Sequence, residues 1–292
     1  MLTLIPSIFL NDMVSVCCIG VNILNKDVEN FQAKIYDYCV SDYPGEIDFY
    51  LQMSKDQNTK ALLELGCGTG RISIKVAQQL DIGVFGLDKS SAMLDIAKNK
   101  SKGMRNVDWI CQDMRNFNIN KIFDLIIIPN HSFQYLLKVD DQMKCLNQIR
   151  QHLCPRGTII LHLANPNNPE HKYWINEIAS DKAGVFELAE SFFHPKTFQQ
   201  ILTNRAWWYQ PKTQIIACQT IWNCISNNGG VLATYKTGTL RFRRISRFDV
   251  EHLLVDNGFH CQGIYGDFFF TEMKDYHSEM IFVARNKNGD PG

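Results

Sequence analysis

The sequence predicts an α/β protein: a doubly wound, mostly parallel sheet with an antiparallel closing strand, an N-terminal helical lid, and a β-rich insertion before the last two strands. Three observations predict it. Ala61–Leu65 is a short apolar run, followed by glycines at Gly66, Gly68 and Gly70 and by a helix-compatible segment, RISIKVAQQL. A strand buried on both faces of a parallel sheet reads as such a run. From Ala61 to Leu163, apolar runs then alternate with amphipathic ones, the pattern of βα units. Beyond Asn165 the alternation stops, and two long strand-like runs flank Asn227-Asn228-Gly229-Gly230. Asn and Gly tolerate positive φ and form hairpins, and a hairpin cannot continue a parallel sheet.

Met1 to Ile23 leans apolar but has no basic leader and is interrupted by Asn11 and Asp12. It reads as a loosely held extension, an over-long start with Met13 as the true beginning, or a substrate cover, rather than a cleavable signal. Asp27–Val40 and Pro44–Lys55 pattern as amphipathic helices, with Pro44 suited to a first turn; Tyr36, Asp37, Tyr38, Tyr43 and Tyr50 crowd there. The alternation follows as Ala61–Leu65, Arg71–Leu80, Gly83–Leu87, Ser90–Lys100, Val107–Cys111, Phe123–Ile128, Asp140–Leu153 and Thr158–Leu163. Ser90 is an N-cap, and Gly157 after Pro155 is expected to end the last helix. The insertion offers a helix at His171–Ser180 and strands at Thr213–Ile225 and Val231–Phe242. Ser246 caps a helix over Arg247–Asn257 that Gly258 stops. Phe259–Tyr265 and Glu279–Arg285 read as an antiparallel closing pair. Four segments result: a lid and extension over 1–56, a core over 57–164, a lobe over 165–245, and completion of the sheet over 246–292.

Composition narrows the function. Lys+Arg and Asp+Glu are both 30, so the basic excess of a general nucleic-acid or anionic-membrane binder is missing. Arg241, Arg243, Arg244 and Arg247 cluster, and read as a solvated hairpin end rather than an RNA track. Ten cysteines form no C-x-x-C pair or zinc spacing and read as reduced thiols of a cytoplasmic protein. No apolar run is long enough to span a bilayer.

The ligand is legible in the first two strands. VFGLD ends at Asp88, eighteen residues after Gly70, and an acid at the tip of a second strand accepts from two ribose hydroxyls. Glycines let a ligand approach backbone amides, and the helix beyond offers its unpaired N–H groups. The dinucleotide fingerprint G-x-G-x-x-G fails because its third glycine falls on Arg71, and no G-K-[ST] follows. What stands is E-x-G-x-G-x-G, as Glu64, Gly66, Gly68 and Gly70.

That motif, with Asp88 after it, resembles the first motif of the class I S-adenosylmethionine-dependent methyltransferases, whose sheet is Rossmann-like. The resemblance implies S-adenosylmethionine as cofactor, with the Glu64 carboxylate holding its ammonium and Asp88 its ribose. Asp113 would accept from the adenine amino group, Met114 would press on the ring face, and Met93 would lie at the other adenine edge. For Asp113 the plainer reading is a capped turn, and for Met93 a core side chain. Tyr36 and Tyr43 are the expected lid contacts, though tyrosines there also pack a lid onto a sheet. Cys67, Arg71, Lys89 and Asn130, within or beside these motifs, complete the expected donor set.

The fourth strand, FDLIIIP, runs into Asn130-His131-Ser132-Phe133-Gln134-Tyr135, the exit that faces the transferring methyl in the resembled class. His131 is the candidate base, with a helix-capping histidine as the alternative, and Tyr135 is expected to orient the acceptor. Ile128, Pro129 and Asn130 supply no hard ligands, and His152, Cys154 and His162 lack metal spacing, so no metal is expected. The tyrosine-rich lead-in, the strand-four exit and the insertion are similar to the branch containing sugar and glycine N-methyltransferases. Pro129-Asn130-His131-Ser132 stands where amino-modifying nucleic-acid methyltransferases carry Asn-Pro-Pro-Tyr. The expected substrate is therefore a small metabolite or natural product, methylated on O or N, without nucleic acid or membrane. A methyltransferase acting on protein or RNA, an inactive donor-binding partner, and a peptide-binding module stay open. The aromatic content of the insertion (Phe192, Phe193, Trp207, Trp208, Tyr209, Trp222, Tyr235, Phe242) fits either a substrate wall or the lobe's own core.

Overall fold

The computed structural model describes residues 26–40, 42–180, 182–194, 196–226 and 228–287. Met1 to Ile23 and Asn227 of the hairpin turn lie outside the described residues. Two helices lead in, α1 (Lys26–Cys39) and α2 (Glu46–Asp56). Pro44 precedes the second rather than opening it: Gly45, at φ 78°, is its N-cap.

The core alternates as expected: β1 (Ala61–Leu65), α3 (Arg71–Gln79), β2 (Gly83–Asp88), α4 (Ser91–Lys100), β3 (Val107–Cys111), β4 (Phe123–Ile128), α5 (Val139–His152) and β5 (Leu153–Ala164). After α6 (Pro169–Ala179) and the lobe strands, α7 (Arg247–Asp256), β11 (Phe259–Tyr265) and β12 (Glu279–Asn286) complete it. The seven strands lie in the order β11-β12-β5-β4-β1-β2-β3. β12 is antiparallel to both β5 and β11, while β1 pairs in parallel with β2 and β4.

Successive residues of the strands feed opposite layers. Leu63, Leu65, Ile126 and Ile128 pack with Leu146 and Ile149 of α5 and Leu254 of α7. Leu62, Leu125 and Ile127 pack with Phe49 and Tyr50 of α2 and Ile72 and Val76 of α3. Both faces are covered, which is why the strands carry unbroken apolar runs.

A further boundary differs from the sequence reading. Neither Pro155 nor Gly157 ends a helix: α5 stops at His152, and Leu153 already pairs with Phe123. The stretch between is absorbed as an irregularity of β5, with Arg156 at φ 66° and the register resuming at Leu125–Thr158. Leu153 is buried, so entry into the core overrides local turn chemistry.

The lobe is a second sheet, ordered β10-β8-β7-β6 with β9 also on β8. Its strands are β6 (Glu187–Phe193), β7 (Gln200–Gln210), β8 (Ile215–Ile225), β9 (Val231–Lys236) and β10 (Leu240–Arg243). β6 and β7 were not anticipated, and the expected strand over Val231–Phe242 is broken in two. Thr237 makes the break, its Oγ1 accepting from Thr220 N at 2.8 Å. Trp222, Trp207 and Phe242 are core side chains of this lobe, whereas Phe193 is two-thirds exposed. Three of the four arginines have separate partners: Arg243 donates to Leu137 O, Arg244 to Pro166 O and Tyr209 Oη, and Arg247 to Glu251; Arg241 is exposed.

Helix α1 is wedged between lobe and core. Val28, Ile35 and Cys39 pack with Met93 of α4 and with Ile201 and Trp222 of the lobe, and Phe31 stacks on Tyr235 at 3.8 Å between centroids. Among the described residues, no helix is long and apolar enough to cross a membrane.

Candidate functional site

The carboxyl ends of β1, β2, β3 and β4 meet in a cleft floored by the glycine turn. Gly66, Gly68 and Gly70 all have positive φ. At Gly66 this freedom meets close approach as well: a Cβ there would stand 2.8 Å from Ser132 Oγ. At Gly70 it would strike the Trp109 indole at 2.3 Å. No other residue type fits either position without moving the chain.

Asp88 ties this turn to the second strand. Its Oδ2 accepts from Gly68 N and its Oδ1 from Ser90 N, each at 2.8 Å. Burial raises the Asp88 pKa, and the backbone N–H groups of Ser90 and Gly68 work against that rise. Each oxygen keeps a further lone pair, the capacity two vicinal hydroxyls need. Gly66, Leu87, Asp88, Lys89, Gln112, Asp113 and Met114 line a small open hollow at this point. The structure thus brings together five residues that the sequence proposed, Gly66, Asp88, Lys89, Asp113 and Met114, from the first, second and third strand ends.

Asp113 is held as well as placed. It accepts from Arg115 N and Nε at 2.9 Å and from Nη2 at 2.7 Å. Burial opposes ionisation, but the Arg115 hydrogen bonds and charge outweigh it and hold the carboxyl below its ordinary value. Glu64 is turned towards the start of α3, where its Oε2 accepts from Ser73 N at 2.9 Å and from Ser73 Oγ. Burial pushes its pKa up to about 7 against those hydrogen bonds, so a cation held there would cost a proton below that pH.

Several expected donor contacts are committed elsewhere. Arg71 pairs with Asp42 and Glu46 at 2.5 Å each, fastening the lid to α3. Cys67 Sγ is buried against its own turn. Met93 is buried among α1 and lobe residues. Tyr135 is buried in a cluster with Trp207, Ile216 and Phe242, so it joins the lobe to the core. Of the two lid tyrosines, Tyr36 overhangs the glycine turn, its ring 3.9 Å from where a Gly68 Cβ would be, and its Oη accepts from Asn130 Nδ2 at 3.5 Å. Tyr43 lies deeper, edge-on to His162 at 4.9 Å and His131 at 6.2 Å. Asp37 latches α1 down, accepting from Thr69 Oγ1 at 2.5 Å and Lys100 Nζ at 2.8 Å.

At the fourth strand's exit, Asn130 and His131 both take left-handed backbone, φ 53° and 60°. Asn130 N donates to His162 Nδ1 at 3.1 Å. His131 Nε2 and His162 Nε2 both reach Glu279 Oε2, at 2.6 and 2.8 Å. Burial lowers the His162 pKa more than the neighbouring Glu279 raises it. Phe268, from the loop after β11, closes over His162 at 5.0 Å.

Ser73, Ser132, Glu279, His162 and Phe268 were missed as site residues. The usable signal was a single polar residue in an apolar strand: His162 in TIILHLA, and Glu279 opening EMIFVAR. Such residues are buried only when hydrogen-bonded.

Residues 62–157 match the family model described as a methyltransferase domain. The chain is 35% identical over 115 residues to malonyl-acyl-carrier-protein O-methyltransferase 1 of Ilyobacter polytropus, spanning 39% of this chain and 41% of that one. It is 28% identical over 139 residues to the dTDP-4-amino-2,3,4,6-tetradeoxy-D-glucose N,N-dimethyltransferase of Saccharopolyspora spinosa, spanning 44% and 53%. The matches to curated relatives thus cover about half of their length. The crystal structure of an S-adenosylmethionine-dependent methyltransferase from Clostridium acetobutylicum superposes with a TM-score of 0.70 at 19% identity, covering 89% of this chain and 99% of that one.

Proposed function

Starting from a class I S-adenosylmethionine-dependent methyltransferase domain, which residues 62–157 are, we propose that the whole chain methylates an oxygen or nitrogen of a small molecule. The observation that carries this reading is the position of Asp88. It pins the glycine turn and lines the hollow shared with Asp113, with β1 between its strand and the one that leads to Asn130 and His131. On this reading Asp88 accepts from the ribose hydroxyls and Asp113 from the adenine amino group. The α3 N-terminus and Glu64 receive the amino-acid end.

S-adenosylmethionine supplies an activated methyl on a cationic sulfur. The protein holds the acceptor in line with the methyl–sulfur bond, and that alignment accounts for much of the acceleration. The acceptor lone pair forms the new bond as the methyl–sulfur bond breaks. Its electron pair stays on sulfur as S-adenosylhomocysteine leaves, and the acceptor's proton passes to His131. The lid, held by Arg71 and Asp37, keeps water from competing. Methyltransferases named for an acyl-carrier ester and for an amino sugar are both relatives, so the choice between O and N stays open.

Calorimetric titration with S-adenosylmethionine and S-adenosylhomocysteine, then a labelled-methyl screen of small amines and hydroxyl compounds, tests the reading. Binding of both ligands and label in a small acceptor is expected. Binding with no transfer to any acceptor supports the inactive-partner alternative instead.

A further inference from the structure

We propose that Glu279, braced by His162, is a positioning residue for His131: it keeps the proton on Nε2 of that ring and the accepting lone pair on Nδ1. This inference rests on reading His131 as the base of the transfer.

The argument begins with one oxygen. Glu279 Oε2 lies 2.6 Å from His131 Nε2 and 2.8 Å from His162 Nε2. An ionised carboxylate only accepts, so both ring nitrogens must donate to it. The pair is buried, with Glu279 6% and His131 8% exposed, which by itself opposes ionisation. Two observations support the ionised form all the same. Burial alone would raise the Glu279 pKa; the two histidine rings, by charge when protonated and by hydrogen bonds in either state, hold it below the usual carboxylate range. The His162 tautomer is also set independently, because its Nδ1 accepts from Asn130 N at 3.1 Å. Its proton must therefore sit on Nε2, facing Glu279.

The same tautomer separates this cluster from a metal site. The ligand atoms of His131, His162 and Glu279 lie within 4.8 Å of one another. His162 Nε2, however, carries a proton as long as Nδ1 takes the Asn130 N–H, and a protonated nitrogen has no lone pair for an ion.

His131 is restrained by main chain as well, since its N donates to His162 O at 3.1 Å. Backbone and side chain of position 131 are thus both tied to position 162, and its left-handed φ is a strained choice that these contacts hold. Other groups around the cluster carry little opposing charge. Tyr43 presents a ring edge, and Glu46 of the lid is paired with Arg71. His171 of α6 is held neutral by burial, at about 4. When His131 takes the acceptor's proton, the new cation forms beside an anion already in place, with no reorganisation required.

Nitrogen-15 NMR of the histidine rings in the full chain, with and without S-adenosylhomocysteine, reads this directly. In the wild type, neutral His131 and His162 are both expected as Nε2–H tautomers. Glu279→Gln keeps the shape and removes the charge, and is expected to move the His131 titration midpoint to lower pH. His162→Asn leaves an amide oxygen for Asn130 N–H but ends the donation to Glu279, so the midpoint is expected to move to higher pH. Opposite shifts in the two variants are not produced by loss of packing. With an acceptor found in the label screen, Glu279→Gln is expected to lower kcat about a hundredfold and to carry the acid limb of the pH profile with it, while donor affinity holds. An unmoved His131 midpoint in both variants, or one equivalent of metal retained by the purified protein, overturns the proposal. If the wild type methylates nothing, the base reading falls, while the tautomer and midpoint data still decide the role of Glu279.

Discussion

At the proposed donor end of the cleft, Asp88 accepts from two backbone amides, Gly68 N and Ser90 N. At the proposed acceptor end, Glu279 accepts from two side chains, His131 and His162. A carboxylate organises each end, but one holds main chain and the other holds rings. Main-chain geometry follows from a short contiguous motif and suits a ligand that is always the same. Side-chain geometry is assembled from β4, β5 and β12 and can be re-equipped without disturbing the sheet. The lid bridges the two, with Tyr36 over the glycine turn and Tyr43 against the histidines.

The difference can be broken from the lid first. Arg71→Ala leaves Glu46, fully buried, without its ion-pair partner. Removing one member of a buried pair costs about 3–5 kcal/mol, so a large drop in the denaturant midpoint is expected, together with weaker donor binding. Denaturation followed by tryptophan fluorescence measures it, and an unchanged midpoint would mean that the pair does not hold the lid.

Separating the two ends comes next. Asp88→Ala is expected to weaken S-adenosylmethionine binding about a hundredfold, the loss of two hydrogen bonds to a charged group. His131→Ala is expected to leave that affinity within about twofold while lowering turnover by about a hundredfold or more. Titration calorimetry beside a steady-state assay tells these apart; equal losses in both quantities for both variants would erase the distinction.

The smallest effect is one of pH. The Glu64 carboxyl sits at about 7 because of burial, and an ammonium beside it would favour the ionised form. Below about pH 7 binding must then release a proton, and above it the carboxylate is ready. Donor affinity is therefore expected to rise with pH and level off, being roughly eightfold weaker at about pH 6 than at about pH 7.5. Calorimetry in buffers of different ionisation enthalpy counts the proton, and Glu64→Gln is expected to flatten the curve.

The same contrast explains what could be read in advance. Strands β1 and β4 begin and end where their apolar runs do, because a strand buried on both faces tolerates little else. The glycine turn and Asp88 were legible because their spacing is local. Glu279 and His162 are separated by 117 positions and meet only through the antiparallel pairing of β12 on β5; nothing in either segment names the other. In the lobe, β6 is an edge strand with Leu188 and Phe193 largely exposed, so it lacks the alternation that marks a half-buried strand. Arg205, buried at the centre of β7 and paired with Glu190 at 2.5 Å, disguised that strand as well. Met93 and Tyr135 were read from their places after the second and fourth strands, and their burial in the joints between lobe and core has no local signal in the sequence.

A crystal structure with S-adenosylhomocysteine bears on the central claim most directly. The account predicts the ribose hydroxyls within hydrogen-bond distance of Asp88, the adenine between Asp113 and Met114, and the sulfur directed at the Asn130–His131 exit. A nucleoside found outside the glycine turn, or one whose sulfur faces away from His131, would contradict it.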